Sequence, residues 1–446
     1  MDPIEWLARA PVPGLARCRV PRDLDGVTCV GEEAAPRQAR TTRTDLDRLW
    51  GRIQALYRTG VYPGVQGGIR RRGHVVLHRS LGHASGNAPE DPVDMPKVPM
   101  DLDTPINVFS ASKAVTAMVV HKLGEEGVLH VDDRVCDYIP EFRQHGKSRI
   151  TIRHLLGHRA GIPNLPPEAM DLDLLADPER VNRILCDARV RTRPGRLLAY
   201  HAISGGFVLA EVVRRTTGKG IREVMREKIA EPLGCRWMNY GVAPEDLDRV
   251  ARGALTGPPV LPPISTLLER ALGVELHRLV ELANDPRFLT GVIPSGNVIT
   301  TAEELTSFYQ CLLQEGTYAG VQVFDPRTVR RATQEDSIWE LDLTLGVPLR
   351  YGLGFMLGGK SFSLFGTDNP HAFGHLGFTN TFSWADPERE LSVAFLVTGM
   401  PVLSLHAVRL VQFLGEINDV FPKIERQRTT GTAARASRRA ARLRTA

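Results

Sequence analysis

Short β-like runs stand at both ends of the patterned part of this chain, and the stretch between them is helical. Gly64 to Arg71 and His74 to Ser80, joined through Arg72-Gly73, read as a hairpin. Gly352 to Leu357, Thr379 to Ala385 and Leu391 to Thr398 return to the same texture, separated by Gly, Pro and charged turns. Helical periodicity fills the middle: Ser110 to Gly127, Ile152 to Gly157, Gly205 to Thr217, Gly220 to Ile229 and Thr301 to Glu315. This order points to an α+β fold. One antiparallel sheet draws strands from the N- and C-terminal parts, helices flank it, and a mostly helical lobe is inserted.

Two helices bracket the sheet segments. Thr44 with Asp47 three residues on makes a capping-box-like start, followed by an apolar stripe of Leu46, Leu49, Trp50, Ile53 and Leu56. An amphipathic stretch, Leu403 to Leu414, closes the folded part. The expected divisions are an N-terminal surface extension over 1–43, a sheet lobe from 44–108 and 345–420, a helical lobe over 109–344 and a tail over 421–446.

The net charge of +5 comes from that tail. Lys423 to Ala446 carries eight basic residues and Glu425, or +7, which leaves the body at −2. Gln427 to Ala446 holds almost no large apolar side chain and reads as disordered. It solubilises the chain or touches an anionic polymer or lipid; nucleic acid is not an expected partner of the body. No apolar run reaches the ~18 residues of a membrane span. Met1 to Ala10 includes Asp2 and Glu5, unlike a secretory leader, and the six cysteines show neither C-x-x-C pairs nor metal spacing. These features place the chain in the cytoplasm. No motif speaks to oligomeric state.

Phe109-Ser110-Ala111-Ser112-Lys113 puts a serine at the opening of a helix and a lysine one turn later, on the same face. A serine hydroxyl becomes a nucleophile when a base takes its proton, and a lysine serves if desolvation lowers its pKa. The helix N-terminus adds positive potential where an oxyanion forms. Of the eight lysines, Lys113 alone has a serine three residues before it. The pair by itself also fits a capping serine beside an exposed lysine.

Its surroundings are more specific. Val108 to Phe142 (VFSASKAVTAMVVHKLGEEGVLHVDDRVCDYIPEF) resembles the nucleophile helix of the serine β-lactamase and penicillin-binding-protein family. It is most similar to the class C-like branch, which includes the β-lactamase-like carboxylesterases known as family VIII esterases. Thr151 to Pro163, Arg193 to Gly218 (RPGRLLAYHAISGGFVLAEVVRRTTG), Gly291 to Leu305, Tyr351 to Phe355 and Gly374 to Pro387 (GHLGFTNTFSWADP) resemble further segments of that family in the expected order. The likeness spans roughly residues 45–415.

The resemblance implies a β-lactamase/transpeptidase-like fold and these roles. Ser110 would form an acyl-enzyme, and Lys113 would hold or accept its proton. Tyr200, opening Tyr200-His201-Ala202, would relay protons to the leaving group, as a phenol or as a phenolate favoured by Lys113; which of the two is the acylation base stays open. The amides of Ser110 and Phe378 would form the oxyanion hole. His375 of His375-Leu376-Gly377 would stand where β-lactamases carry a lysine. Gly377 and His201 fall among the substrate-facing positions. Tyr200 and His375 also fit ordinary core residues.

Two departures bear on substrate. Ala202 replaces the asparagine that usually ends the second motif, and His375 is at best a partial cation near pH 7. Both weaken recognition of carboxylate-bearing acyl amides and favour small-molecule esters of modest acyl size. No metal or organic cofactor is expected. Hydrolysis of D-amino-acid peptides, amides or β-lactams, acyl transfer to another acceptor, and a non-catalytic binding module of the same fold are the alternatives.

Competing motifs are weaker. Gly354 to Ser361 fits G-x-x-x-x-G-K-S, but a phosphate loop needs a helix at its lysine, and Phe362 to Pro370 (FSLFGTDNP) is not helix-forming. There is no G-x-S-x-G elbow and no H-E-x-x-H. His154 and His158 are spaced i, i+4, but Gly157 and Gly161 put them at a helix end.

Overall fold

The computed structural model describes residues 14–164, 171–378, 380–402, 404 and 406–424. Met1 to Ala10 and Gln427 to Ala446 lie outside them. The first long helix, α1 (Arg43–Tyr57), is capped by Thr42, whose side chain accepts from the Asp45 amide while the Asp45 carboxylate accepts from the Thr42 amide. The expected Thr44–Asp47 start is therefore two residues late. The run Thr-Thr-Arg-Thr-Asp-Leu-Asp offers the same spacing twice, and the earlier pair wins.

Among the described residues, ten strands form one antiparallel sheet: β1 (Thr28–Val30), β2 (Gly64–Arg71), β3 (His74–Ser85), β4 (Val98–Pro99), β5 (Ser337–Leu341), β6 (Pro348–Tyr351), β7 (Met356–Leu357), β8 (Phe373–Leu376), β9 (Phe382–Asp386) and β10 (Leu391–Val397). Their order is β1-β3-β2-β10-β9-β8-β7-β6-β5, with β4 on β3. The junction of N- and C-terminal strands is the β2–β10 ladder, in register from Arg71 opposite Leu391 to Val65 opposite Val397. No membrane-length apolar helix occurs among the described residues.

Alternation along β10 sorts the core into two layers. Val393, Phe395 and Val397 face one cluster with Leu46, Leu49, Ile53 and Leu56 of α1 and Phe413 and Ile417 of the last helix, α5 (His406–Val420). Ala394 and Leu396 face the other cluster, with Leu305, Phe308 and Tyr309 of α4 (Ala302–Leu313) and, beyond them, Val115, Met118 and Val119 of α2 (Ser112–Glu125) and Val208 and Val212 of α3 (Ser204–Thr217). The buried Glu416 of α5 accepts from Arg48 and Arg52 of α1, which locks the two outer helices together.

Several expectations give way here. Part of the supposed surface extension is structural: β1 edges the sheet, Leu24 and Ala39 are buried, and Ala16 and Gly257 exchange backbone hydrogen bonds. α4 packs on β10 and β9, and β5 belongs to the sheet, so neither belongs to the helical lobe drawn over 109–344. α5 covers His406–Val420 and runs past the expected end at Leu414; its expected first residue, Leu403, lies outside the described residues. The tail starts later than 421, since Phe421 is buried, Lys423 pairs with Asp368 and Glu388, and the Ile424 amide donates to Glu388. Gly220 to Ile229 is a short helix, Ile221–Met225, running into a π turn, Arg226–Ala230. α2 is buried on nearly every side and is not a one-sided amphipathic helix; Ala114, Ala117 and Val120 join the expected stripe.

Candidate active site

The loop before α2 is built to present a serine. Phe109 sits at φ +47°, a left-handed conformation that a bulky residue rarely adopts, and its amide donates to Asn107 Oδ1 at 3.1 Å. A 3₁₀ turn, Phe109–Ala111, leads into the helix. Ser112 pins this turn by donating to the Phe109 carbonyl and accepting from the Val298 amide at 2.9 Å. Ser110 is left half-buried at the mouth.

Lys113 points back at it from inside the protein. Its Nζ lies 3.2 Å from Ser110 Oγ, 2.8 Å from the Ala202 carbonyl and 3.0 Å from the Ser295 carbonyl. Among the described residues it has no carboxylate partner, and burial lowers its pKa to about 7. A neutral amine satisfies this geometry fully. Its two N–H bonds go to the carbonyls and its lone pair faces the serine hydroxyl. If Lys113 is the base, kcat/KM rises with pH through about 7, because the protonated ammonium has no lone pair to receive the Ser110 proton. A pH–rate profile between pH 5 and 9 checks this; a flat profile contradicts it.

Tyr200 closes the opposite side. Its hydroxyl hydrogen-bonds Ser110, and its ring centroid is 4.8 Å from Lys113 Nζ. Burial raises its pKa above the usual phenol value, and the Ser110 bond opposes that only partly. Of the two forms the sequence left open, burial favours the neutral phenol, which holds a proton to give. Asp342 fixes the tyrosine's backbone. This fully buried carboxylate accepts from the Tyr200, Thr344 and Leu345 amides at Oδ1 and from the Tyr351 hydroxyl at Oδ2.

His375, on β8, is 1% exposed and is not a cation. Its Nδ1–H donates to the Leu376 carbonyl at 2.7 Å, and burial with nearby Lys113 pushes its pKa to about 3. That leaves Nε2 as an acceptor, buried with no partner among the described residues. The Tyr200 ring lies 6.2 Å away, centroid to centroid.

Gly377 and His201 face elsewhere than expected. The Gly377 amide donates to the Thr381 carbonyl at 2.8 Å, and a Cβ there would lie 2.5 Å from the Val108 carbonyl. Its role is to let the end of β8 touch the nucleophile loop. Gly377→Ala should push the two apart and lower kcat by about 100-fold, the scale of a 1 Å misplacement. Steady-state kinetics beside thermal unfolding separates this from lost stability. His201 is buried, accepts from the Ile162 amide at Nε2 and stacks on His158, which places it behind Lys113. Phe378 remains beside the nucleophile loop, its ring 6.0 Å from that of Phe109.

Sequence reasoning missed three contributors. Ser295 acts through a carbonyl, which has no residue signature. Asp342 shows only as the acid of an Asp-Leu-Thr-Leu-Gly turn. His158, at φ +58°, packs its ring 4.6 Å from Tyr200 and accepts from the His201 amide. No group of three or more metal-ligating side chains occurs among the described residues. Gly354 to Ser361 carries no helix at Lys360, so it is not a phosphate loop. A Cβ on Gly354 would meet Ala117 Cβ at 2.1 Å, which explains that glycine by its packing on α2.

Known proteins share this arrangement's fold. The family model described as beta-lactamase matches residues 49–412. The esterase/beta-lactamase LipL of Mycobacterium tuberculosis (strain ATCC 25618 / H37Rv) is 30% identical over 317 residues, covering 67% of this chain and 70% of LipL. A family VIII carboxylesterase crystal structure superposes with a TM-score of 0.72 at 26% identity, over 87% of this chain and 99% of that one. A penicillin-binding protein homologue from Caulobacter crescentus gives 0.71 at 25% identity, over 84% and 98%. The chain is a member of the beta-lactamase family of hydrolases.

Proposed function

We propose that this protein cleaves carboxylic esters through a covalent acyl-enzyme on Ser110. The observation that carries the reading is the buried Lys113 amine, held by two carbonyls with its remaining position on Ser110 Oγ. In acylation Ser110 Oγ attacks the ester carbonyl carbon while its proton passes to Lys113. The Ser110 and Phe378 amides take the charge of the tetrahedral oxyanion. As that intermediate collapses, the carbon–oxygen bond to the alcohol breaks and the Tyr200 phenol gives the leaving alkoxide its proton. The proton on Lys113 then passes to the Tyr200 phenolate, whose ring lies against the Lys113 amine, so that both groups regain their starting forms. Water repeats the sequence against the acyl-enzyme with the same pair as base, releasing the acid and Ser110.

The choice of ester rests on His375 and Ala202. A neutral, acceptor-only imidazole does not pair with a substrate carboxylate, and Ala202 supplies a carbonyl to Lys113 but no side-chain amide to an acyl group. The names of LipL and of the family VIII carboxylesterase support the same direction. Six unpaired cysteines support a reducing compartment, in line with a cytoplasmic protein.

A panel of p-nitrophenyl esters of increasing acyl length, with nitrocefin and a D-alanyl dipeptide alongside, tests the preference. The expected result is short-chain ester turnover with kcat/KM at least about 100-fold above either competitor, the scale on which a site lacking polar partners discriminates against a more polar substrate. Preferred cleavage of nitrocefin or of the dipeptide would replace ester hydrolysis by lactamase or peptidase activity. No turnover and no fluorophosphonate labelling would leave a binding module.

A further inference from the structure

We propose that Asn380 and His406 form a side-chain clasp that sets the β8–β9 turn, and with it the Phe378 amide, so that both act as positioning residues for acyl transfer. The inference rests on the reading of Phe378 as an oxyanion donor. The turn begins where β8 ends: Leu376 pairs with Phe382 across the hairpin, and Gly377 closes the loop onto the Thr381 carbonyl. One side of the turn leans on the nucleophile loop through the bare Gly377. The other side is where Asn380 stands, at φ +72°.

The Asn380 side-chain amide donates from Nδ2 to the Pro401 carbonyl at 3.3 Å and to His406 Nε2 at 3.2 Å. For Nε2 to accept, the imidazole proton must sit on Nδ1, and Ser404 Oγ lies 2.5 Å from Nδ1 to receive it. That oxygen also accepts from the His406 amide at 3.3 Å. His406 is 1% exposed and stands edge-on to Tyr62 at 5.9 Å, and burial lowers its pKa to about 4, so the acceptor form persists at neutral pH. The anchor is tied to the sheet by backbone hydrogen bonds. Met400 and Ala254 are tied by the Met400 amide, and the Ala254 amide in turn donates to Thr398 beyond the end of β10. The clasp thus ties the turn bearing Phe378 to the sheet and to the start of α5.

Two measurements test it. In ¹⁵N-labelled wild-type protein, His406 Nε2 should show the shift of an unprotonated, hydrogen-bonded nitrogen, and Asn380→Ala should move it. His406→Leu and Asn380→Ala should each lower kcat for the best ester about 10- to 100-fold at nearly unchanged KM and Tm, less than outright loss of an oxyanion donor. His406→Gln, which keeps an acceptor, should recover most of the loss, and the double variant should be no worse than either single one. A protonated Nε2, or kcat within twofold of wild type in both single variants, overturns the clasp while Ser110 labelling leaves the ester reading standing. Failure of wild type to turn over any ester sinks that reading and the positioning role with it.

Discussion

Ser110→Ala is expected to abolish ester turnover, with kcat falling by about 10⁴-fold or more, because no other group takes over the covalent step. The fold should survive. Ser110 is half-exposed, and the turn that presents it is pinned by Ser112 and Asn107, not by Ser110. Substrate binding should therefore be retained and Tm nearly unchanged. Fluorophosphonate labelling should vanish in the same variant. Persistent labelling would falsify the assignment and turn attention to Ser112, two residues on, whose hydroxyl is already committed to the Phe109 carbonyl and the Val298 amide.

Lys113→Met should cost about 10³-fold in kcat, within the range for removal of a general base, while filling most of the same volume. Arginine should not rescue it. A guanidinium stays protonated at neutral pH and has no lone pair to offer. The residual rate of the variant should be nearly independent of pH, since the group that titrates near 7 has gone, and the loss should therefore widen as pH rises through 7. Near-normal turnover in Lys113→Met would transfer the base to Tyr200 and require a phenolate, against the raised pKa of that phenol.

How far these conclusions were legible in the sequence varies with the kind of contact. The hairpin β2–β3, the strands β9 and β10 and their joining into one sheet followed from alternation and turn residues. That pattern is local and survives folding. The helix start at Thr42 did not follow, because two equivalent caps lie two residues apart and tertiary packing chooses between them. Ser110 and Lys113 were visible as a pair at helix spacing, and the ordered likeness brought Tyr200 and His375 alongside. The charge states were not visible. Burial makes Lys113 able to act as a base and, with Lys113 close by, keeps His375 a neutral acceptor, and burial is a property of the whole fold. His201 was drawn toward the substrate by its motif neighbours, yet its ring turns behind the lysine to meet Ile162 and His158. Ser295 and Asp342 were silent for a different reason. One acts through backbone, and the other acts from a strand-end turn far along the chain.

The central claim is a covalent bond to one oxygen atom, and mass spectrometry reads it directly. Wild-type protein mixed with a p-nitrophenyl ester, quenched in acid within the first turnover and digested with trypsin, should yield the peptide Val98–Lys113 heavier by one acyl group. Fragmentation should place that mass on Ser110 and leave Ser112 unmodified. An adduct elsewhere, or continued ester hydrolysis with no adduct on this peptide, would contradict the acyl-enzyme at Ser110.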